Sequence, residues 1–235
     1  MSGLLKPRMD VLSPAQERLW PELRPAAGFG FALYGGTAIA LRLGHRSSVD
    51  FDFFSEEPID RDAMRSAFPF MSVSTVLQDR LNTLTVLVPY GKSDHDHVKV
   101  SFFGAIRFGR IGEPDVTEDG ILHVAALDDL MATKAKVILQ RVEAKDYRDI
   151  AAMIDSGVSL ALGLSAAREL FGTSFQPSES LKALAYFEGG DLETLTQAEK
   201  NSIVQAVRSV RRLPRTSIVS RQLTAAPRPQ RPDSC

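Results

Sequence analysis

The segment FALYGGTAIALRLGHRSSVDFDFF, Phe31 to Phe54, constrains this chain more than any other. It reads as strand, glycine turn, short helix, strand. Phe31 to Tyr34 is a short apolar run that stops at Gly35-Gly36, as a buried strand does. Thr37 to Leu43 suits a helix, with Thr37 near its N-terminus. Val49 to Phe54 then alternates, so Val49, Phe51 and Phe53 are expected on one face and Asp50 and Asp52 on the other. Two carboxylates on one strand face, two residues apart, repel at neutral pH, and a divalent cation relieves that repulsion. Gly35 and Gly36, just ahead of a helix, let backbone N–H groups approach a phosphate with no Cβ in the way. Alone, a double glycine is a tight turn and a D-x-D a solvated strand edge. In this order and spacing they suit a nucleoside triphosphate (NTP) with Mg²⁺ or Mn²⁺.

A second informative stretch runs from Lys134 to Asp149. From Asp128 the sequence shows no proline or glycine until Gly157, which predicts one long helix to about Asp155, capped by Asp128 or Asp129. On such a helix Lys134, Arg141 and Lys145 fall within about 40° of one another. Three cations in a line are destabilising unless anions meet them. Ion pairs with Glu143, Asp146 and Asp149 on a solvated face meet that need, and so does a triphosphate or an RNA backbone.

The first segment resembles the nucleotidyltransferases of the DNA polymerase beta superfamily, whose signature is glycine followed by glycine or serine, a short helix, then D-x-D on a strand. More closely, GGTAIALRLGHRSSVDFDFF is similar to the first motif of the AbiEii/AbiGii toxin family, Gly44-His45-Arg46 and Ser48 included. A later motif of that family, approximately D-L-x-x-x-K, then R, then K-D-x-x-D, is similar to Asp129, Leu130, Lys134, Arg141, Lys145-Asp146 and Asp149. The two motifs and the strands between them cover about 120 residues. The later LKALAYFEGGDLETL also looks family-like.

This resemblance implies an α/β (α+β) fold, a polymerase-beta-like mixed sheet followed by a helical bundle. It implies transfer of a nucleoside monophosphate from an NTP to an acceptor hydroxyl, an RNA such as tRNA among the candidates. A toxin or phage-defence role with a separately encoded antitoxin also follows. Asp50 and Asp52 are then the metal ligands and, with Lys134, Asp146 and Asp149, the catalytic candidates. Gly35, Gly36, Thr37, Arg46, Ser48, Arg141 and Lys145 are the nucleotide-binding candidates. Lys134 is expected on the phosphates, Asp146 or Asp149 to orient basic groups or help the acceptor, and Arg46 to pair with Asp50 or a phosphate.

The superfamily commonly places a third acid on a neighbouring strand, for metal binding or as general base. The candidate strand here, VKVSFFG, offers Lys99 and Ser101 on the relevant face instead, which points to a single metal ion. Two rival readings follow: a nucleotide-binding but catalytically silent interaction protein, and a small-molecule transferase of the aminoglycoside-modifying type. The Asp94-His95-Asp96-His97 run carries metal-ligand residue types, but four adjacent residues in a turn rarely converge on one tetrahedral ion. His45 suits a loop-shaping role and His123 that of a core histidine. There is no G-x-S-x-G, Walker A lysine or G-x-G-x-x-G.

Around these motifs, Ser13-Pro14 opens a helix ending near Pro25, and Asp60 caps another. Val73 to Leu77 and Leu84 to Val88 form a hairpin around Asp79-Arg80-Leu81-Asn82, and Ile121 to Val124 is a short strand. Helices follow over 160–171, 177–187 and 195–213, the last with a Thr196/Glu199 capping box. We therefore expect a transferase domain over 1–125, a helical domain over 126–213 and a disordered tail over 214–235. A net charge of −1 gives no overall pull toward nucleic acid or membrane. The one cysteine, Cys235, excludes an internal disulfide framework. With no signal-like or membrane-spanning run, the chain reads as cytoplasmic.

Overall fold

A computed structural model describes residues 3–90 and 97–224. In chain order the elements are β1 (Leu4–Leu5), α1 (Pro14–Leu19), β2 (Ala32–Tyr34), α2 (Gly35–Leu43), β3 (Asp50–Phe54), α3 (Arg61–Ala67), β4 (Thr75–Arg80), β5 (Thr83–Pro89), β6 (His97–Phe103), β7 (Asp115–Thr117) and β8 (His123–Val124). They continue as α4 (Leu127–Val137), α5 (Ala144–Asp155), α6 (Leu160–Phe171), α7 (Pro177–Leu184) and α8 (Gln197–Ser209). The strands form one mixed sheet in the order β1-β7-β8-β2-β3-β6-β5-β4. It is followed by helices, so the expected α+β architecture is present.

β3 is central, antiparallel to β2 and parallel to β6. Its odd residues are locked by aromatic packing: Phe53 stacks on Phe102 at 5.3 Å, and Phe31 and Phe68 meet the same ring at 5.1 and 5.3 Å. Because side chains alternate, a one-residue slip would drive Asp50 and Asp52 into this cluster, so the apolar face fixes where the acids point. Buried apolar residues from the sheet and from α4 to α8 form a single cluster.

Several local expectations need correction. Val49 does not share the core face of β3; it precedes the strand and is 63% exposed. The helix from Ser13 gives way at Trp20 to a 3₁₀ segment that runs past Pro25 to Phe29. The hairpin strands are longer and the connection shorter, Leu81-Asn82 alone, and the eighth strand contracts to His123–Val124.

The predicted long helix over 128–155 is two helices, α4 and α5, with a turn between them. A continuous helix would put Asp146 about 18 Å along the axis from Lys134. In the fold the two side chains touch, at 2.6 Å. Tertiary pairing, together with the Asp191 carboxylate that accepts the Ala144 N–H at 2.6 Å, overrides an uninterrupted helical propensity.

The expected disorder beyond residue 214 does not hold over 215–224. Leu223 is buried, Ser220 bridges the backbone of Arg110, and the Arg110 guanidinium donates to the Gln222 carbonyl at 2.9 Å. Residues 225–235 and, of the Asp94 to His97 run, Asp94 to Asp96 lie outside the described residues; His97 opens β6.

Candidate active site

The site forms where β2 ends and α2 begins. Gly35 has φ +72°, a left-handed conformation that glycine adopts without a Cβ penalty. A Cβ there would also lie 2.5 Å from Asp52 Oδ2, so the Asp52 carboxylate rests directly against the glycine bend. A Cβ on Gly36 would strike the Arg46 guanidinium. α2 has no side-chain N-cap and no acidic residue in its first turn. Its first N–H groups and the positive end of its dipole are therefore available to an anion.

Thr37 is buried, and its hydroxyl donates to the Asp50 carbonyl while bonding the Ser48 hydroxyl at 2.9 Å. The side chain expected to cradle phosphate instead braces the start of β3.

Across the β3–β6 ladder Asp50 faces Lys99 and Asp52 faces Ser101. Lys99 Nζ lies 2.8 Å from Asp50 Oδ2. Burial, and then the charge of Asp50, push the Asp52 carboxyl up, while Lys99, Lys134 and a hydrogen bond with Ser101 oppose that rise. Two neighbouring carboxylates, one of them buried and pushed up in this way, are a donor set that suits a hard divalent cation. Among the described residues no group of three His, Cys, Asp or Glu side chains is placed to share an ion.

Behind this pair lies a buried ionic cluster. Lys134 Nζ sits 2.6 Å from Asp146 Oδ1 and 2.7 Å from Asp149 Oδ2, and all three side chains are almost sealed from solvent. Asp149 also binds His45 Nε2 at 2.8 Å and receives a fork from Arg46, Nε at 2.7 Å and a terminal nitrogen at 2.9 Å. Asp146 takes the matching fork from Arg141, at 2.8 and 3.1 Å. Burial alone would raise both carboxyls. For Asp149 the His45 bond, Lys134 and Arg46 overcome it and hold the group well below the usual carboxylate range. For Asp146, Arg141 and Lys134 outweigh burial and lower the carboxyl.

Arg46, expected on Asp50 or a phosphate, is thus engaged by Asp149. Asp146 and Asp149 are fully enclosed by cations, which leaves them to orient those cations rather than to meet an acceptor. Lys145 is half-exposed and pairs with Glu143 at 2.7 Å.

Two adjoining cavities meet at Gly36, Asp52, Lys134 and Arg141. One, of about 210 Å³, carries five cations, Arg46, Lys99, Lys134, Arg141 and Lys145, against Asp50 and Asp52. The other, of about 270 Å³, has a largely apolar wall that includes Tyr34, Phe54, Phe103 and Val137, with Gln140 at its edge. Tyr34 stacks on Phe54 at 4.8 Å. Together they fall within the range of about 300–1,000 Å³ common for small-molecule sites.

This apolar lobe and the role of Lys99 escaped the reading of the sequence. A signal existed for part of it: Phe54 continues the Asp50, Asp52 face, and Phe103 continues that of Lys99 and Ser101, each at a spacing of two. Val137 follows Lys134 by three residues on α4, and Gln140 belongs to the turn after α4.

The family model described as nucleotidyl transferase AbiEii toxin, type IV TA system, matches residues 23–217. An uncharacterized protein of Aquifex aeolicus (strain VF5) is 34% identical over 122 residues, a stretch that spans 51% of this chain and 55% of that protein.

Proposed function

The chain belongs to the AbiEii nucleotidyltransferase toxin family, and from that premise we propose that it transfers a nucleoside monophosphate from an NTP to an acceptor hydroxyl, releasing pyrophosphate. The observation that carries this reading is the contact of Asp52 with the Gly35 bend, at the uncapped end of α2 and beside a cation-lined chamber.

In this account the N–H groups at the start of α2, with Gly36 presenting no side chain, receive the outer phosphates. Asp50 and Asp52 would hold Mg²⁺ or Mn²⁺, which would supply positive charge to the reacting phosphate oxygens. Lys134 and Arg141 face the same chamber and offset the charge that builds on departing pyrophosphate. Asp146 and Asp149 fix the orientation of Lys134, Arg141 and Arg46, and Thr37 and Ser48 hold the start of β3. The apolar lobe, with Tyr34, Phe54 and Phe103, receives the nucleobase, and Gln140 is placed to read its edge.

An RNA acceptor fits the half-exposed cations Lys99, Arg141 and Lys145 at the mouth. A polycationic acceptor of the aminoglycoside type does not, because Lys99 rather than an acidic wall stands beside Asp50. The family's type IV toxin description supports a separate antitoxin partner and a defence role. Action in the cytoplasm accords with the absence, among the described residues, of a helix long and apolar enough to cross a membrane.

The test uses Mg²⁺, total RNA and each NTP labelled at the α or the γ phosphate. Incorporation of the α label alone, with stoichiometric pyrophosphate release, is expected. NTP binding without any transfer would favour the silent-binder reading, which the replacement of the third acid by Lys99 motivates.

A further inference from the structure

Lys99 is the side chain in the chamber that the nucleotidyltransferase pattern leaves unexplained. It stands on β6 directly across from Asp50 in a parallel register that also sets Ser101 across from Asp52. The acid pair therefore has a β6 partner at each position, an ammonium for Asp50 and a hydroxyl for Asp52. Among the described residues no third carboxylate or histidine joins the pair. Asp146 and Asp149 already bind Lys134, Arg141, Arg46 and His45, and among the described residues no three-ligand acidic or histidine cluster exists.

The strand order gives this arrangement a direction. β3 lies between β2, which leads into the glycine bend, and β6. A triphosphate seated on the bend approaches the acids from the β2 side, and the Lys99 ammonium occupies the β6 side. A divalent ion on that side would meet a like charge already 2.8 Å from the carboxylate oxygen it needs.

We infer that the Lys99 ammonium takes the place of a second divalent cation, so that Asp50 and Asp52 hold a single metal ion together with the nucleotide. This rests on the reading of the site as a metal–NTP centre. Lys99 acts here as a fixed monovalent charge on the β6 side of the acid pair. It would compete for Asp50 with any ion that approached from β6.

The test counts Mn²⁺ by electron paramagnetic resonance in the full-length chain. It uses an NTP analogue with a methylene bridge between the α and β phosphates, at protein excess so that all nucleotide is bound. One Mn²⁺ per bound nucleotide is expected for the wild type and for Lys99→Arg, and two for Lys99→Asp. Lys99→Met, which adds no ligand, is expected to bind the single ion about tenfold more tightly because the competing charge is gone.

Two ions of comparable affinity in the wild type would overturn the inference. So would a single ion in a folded, nucleotide-binding Lys99→Asp variant, or unchanged affinity in Lys99→Met. Failure of the wild type to bind the analogue with any metal would instead overturn the reading of the site, and the inference with it.

Discussion

The chain carries two pairs of aspartates that share Lys134 as a neighbour and are opposite in environment. Asp50 and Asp52, on β3, face an open cavity with Lys99 on Asp50 and only the Ser101 hydroxyl on Asp52, and Asp52 is pushed up by burial and by its neighbour. Asp146 and Asp149, on α5, are more deeply buried yet pulled down, because Lys134, Arg141, Arg46 and His45 meet them. Burial penalises a carboxylate in either place; what differs is whether the fold itself supplies the compensating charge. At Asp146 and Asp149 it does so in full; at Asp52 it does so only in part, and in the proposed account a bound cation would supply the rest.

The sharpest way to break this contrast is to neutralise one member of each pair. Asp52→Asn should lower nucleotidyl transfer by about 10⁴-fold or more, the scale on which loss of a central catalytic group registers. Its melting temperature should equal or exceed that of the wild type, because an ionised carboxyl with a raised pKa opposes folding at neutral pH. Asp149→Asn should do the reverse to the scaffold. Stripping Lys134, Arg46 and His45 of a buried partner should cost about 3–5 kcal/mol in urea unfolding. Activity would fall only as far as those cations lose their aim.

Acidification sharpens the same comparison. The depressed pKa values of Asp146 and Asp149 contribute stability that is complete above the ordinary carboxylate value near about 4. That contribution is lost as pH falls through their folded-state values. The raised Asp52 contributes in the opposite sense, with stability present below about pH 4 and lost as pH rises through its folded value. Urea midpoints between neutral and strongly acid pH should therefore drop steeply at the acid end in the wild type, and less steeply in Asp149→Asn.

Gly35→Ala should cost about 1–2 kcal/mol from its left-handed φ alone. It should also weaken NTP binding, since the new methyl lies against Asp52; unchanged binding would mean that the nucleotide sits elsewhere. The smallest effect is expected at Gln140, where alanine should alter relative KM values among the four NTPs by about fivefold, about one hydrogen bond's worth, with no change in melting temperature.

What the sequence disclosed follows from the range of the interactions. The alternation in DFDFF is a two-residue signal enforced by one buried face, and it put Asp50 and Asp52 on the face opposite the buried rings, although Val49 fell outside the strand. Capping at Ser13, Asp60 and Thr196 is equally local and was legible. The turn between α4 and α5 was not. Nothing within the segment breaks a helix, and the reasons for the turn, Asp191 and the Lys134–Asp146 contact, lie 47 and 12 residues away in sequence. The stretch 215–224 misled for a related reason: its composition suits disorder, but its order comes from Arg110, more than a hundred residues earlier. Lys99 was visible as a departure from the expected third acid. Its contact with Asp50 became evident only with the β3–β6 register.

The central claim is that Asp52, resting on the glycine bend, is where the chemistry happens. The most direct measurement is transfer of label from α-labelled NTP by Asp52→Asn and wild type, at equal concentration of folded protein. The account predicts robust transfer by the wild type and none above background by the variant, whose circular dichroism and melting curve stay native. Undiminished transfer by Asp52→Asn would contradict it.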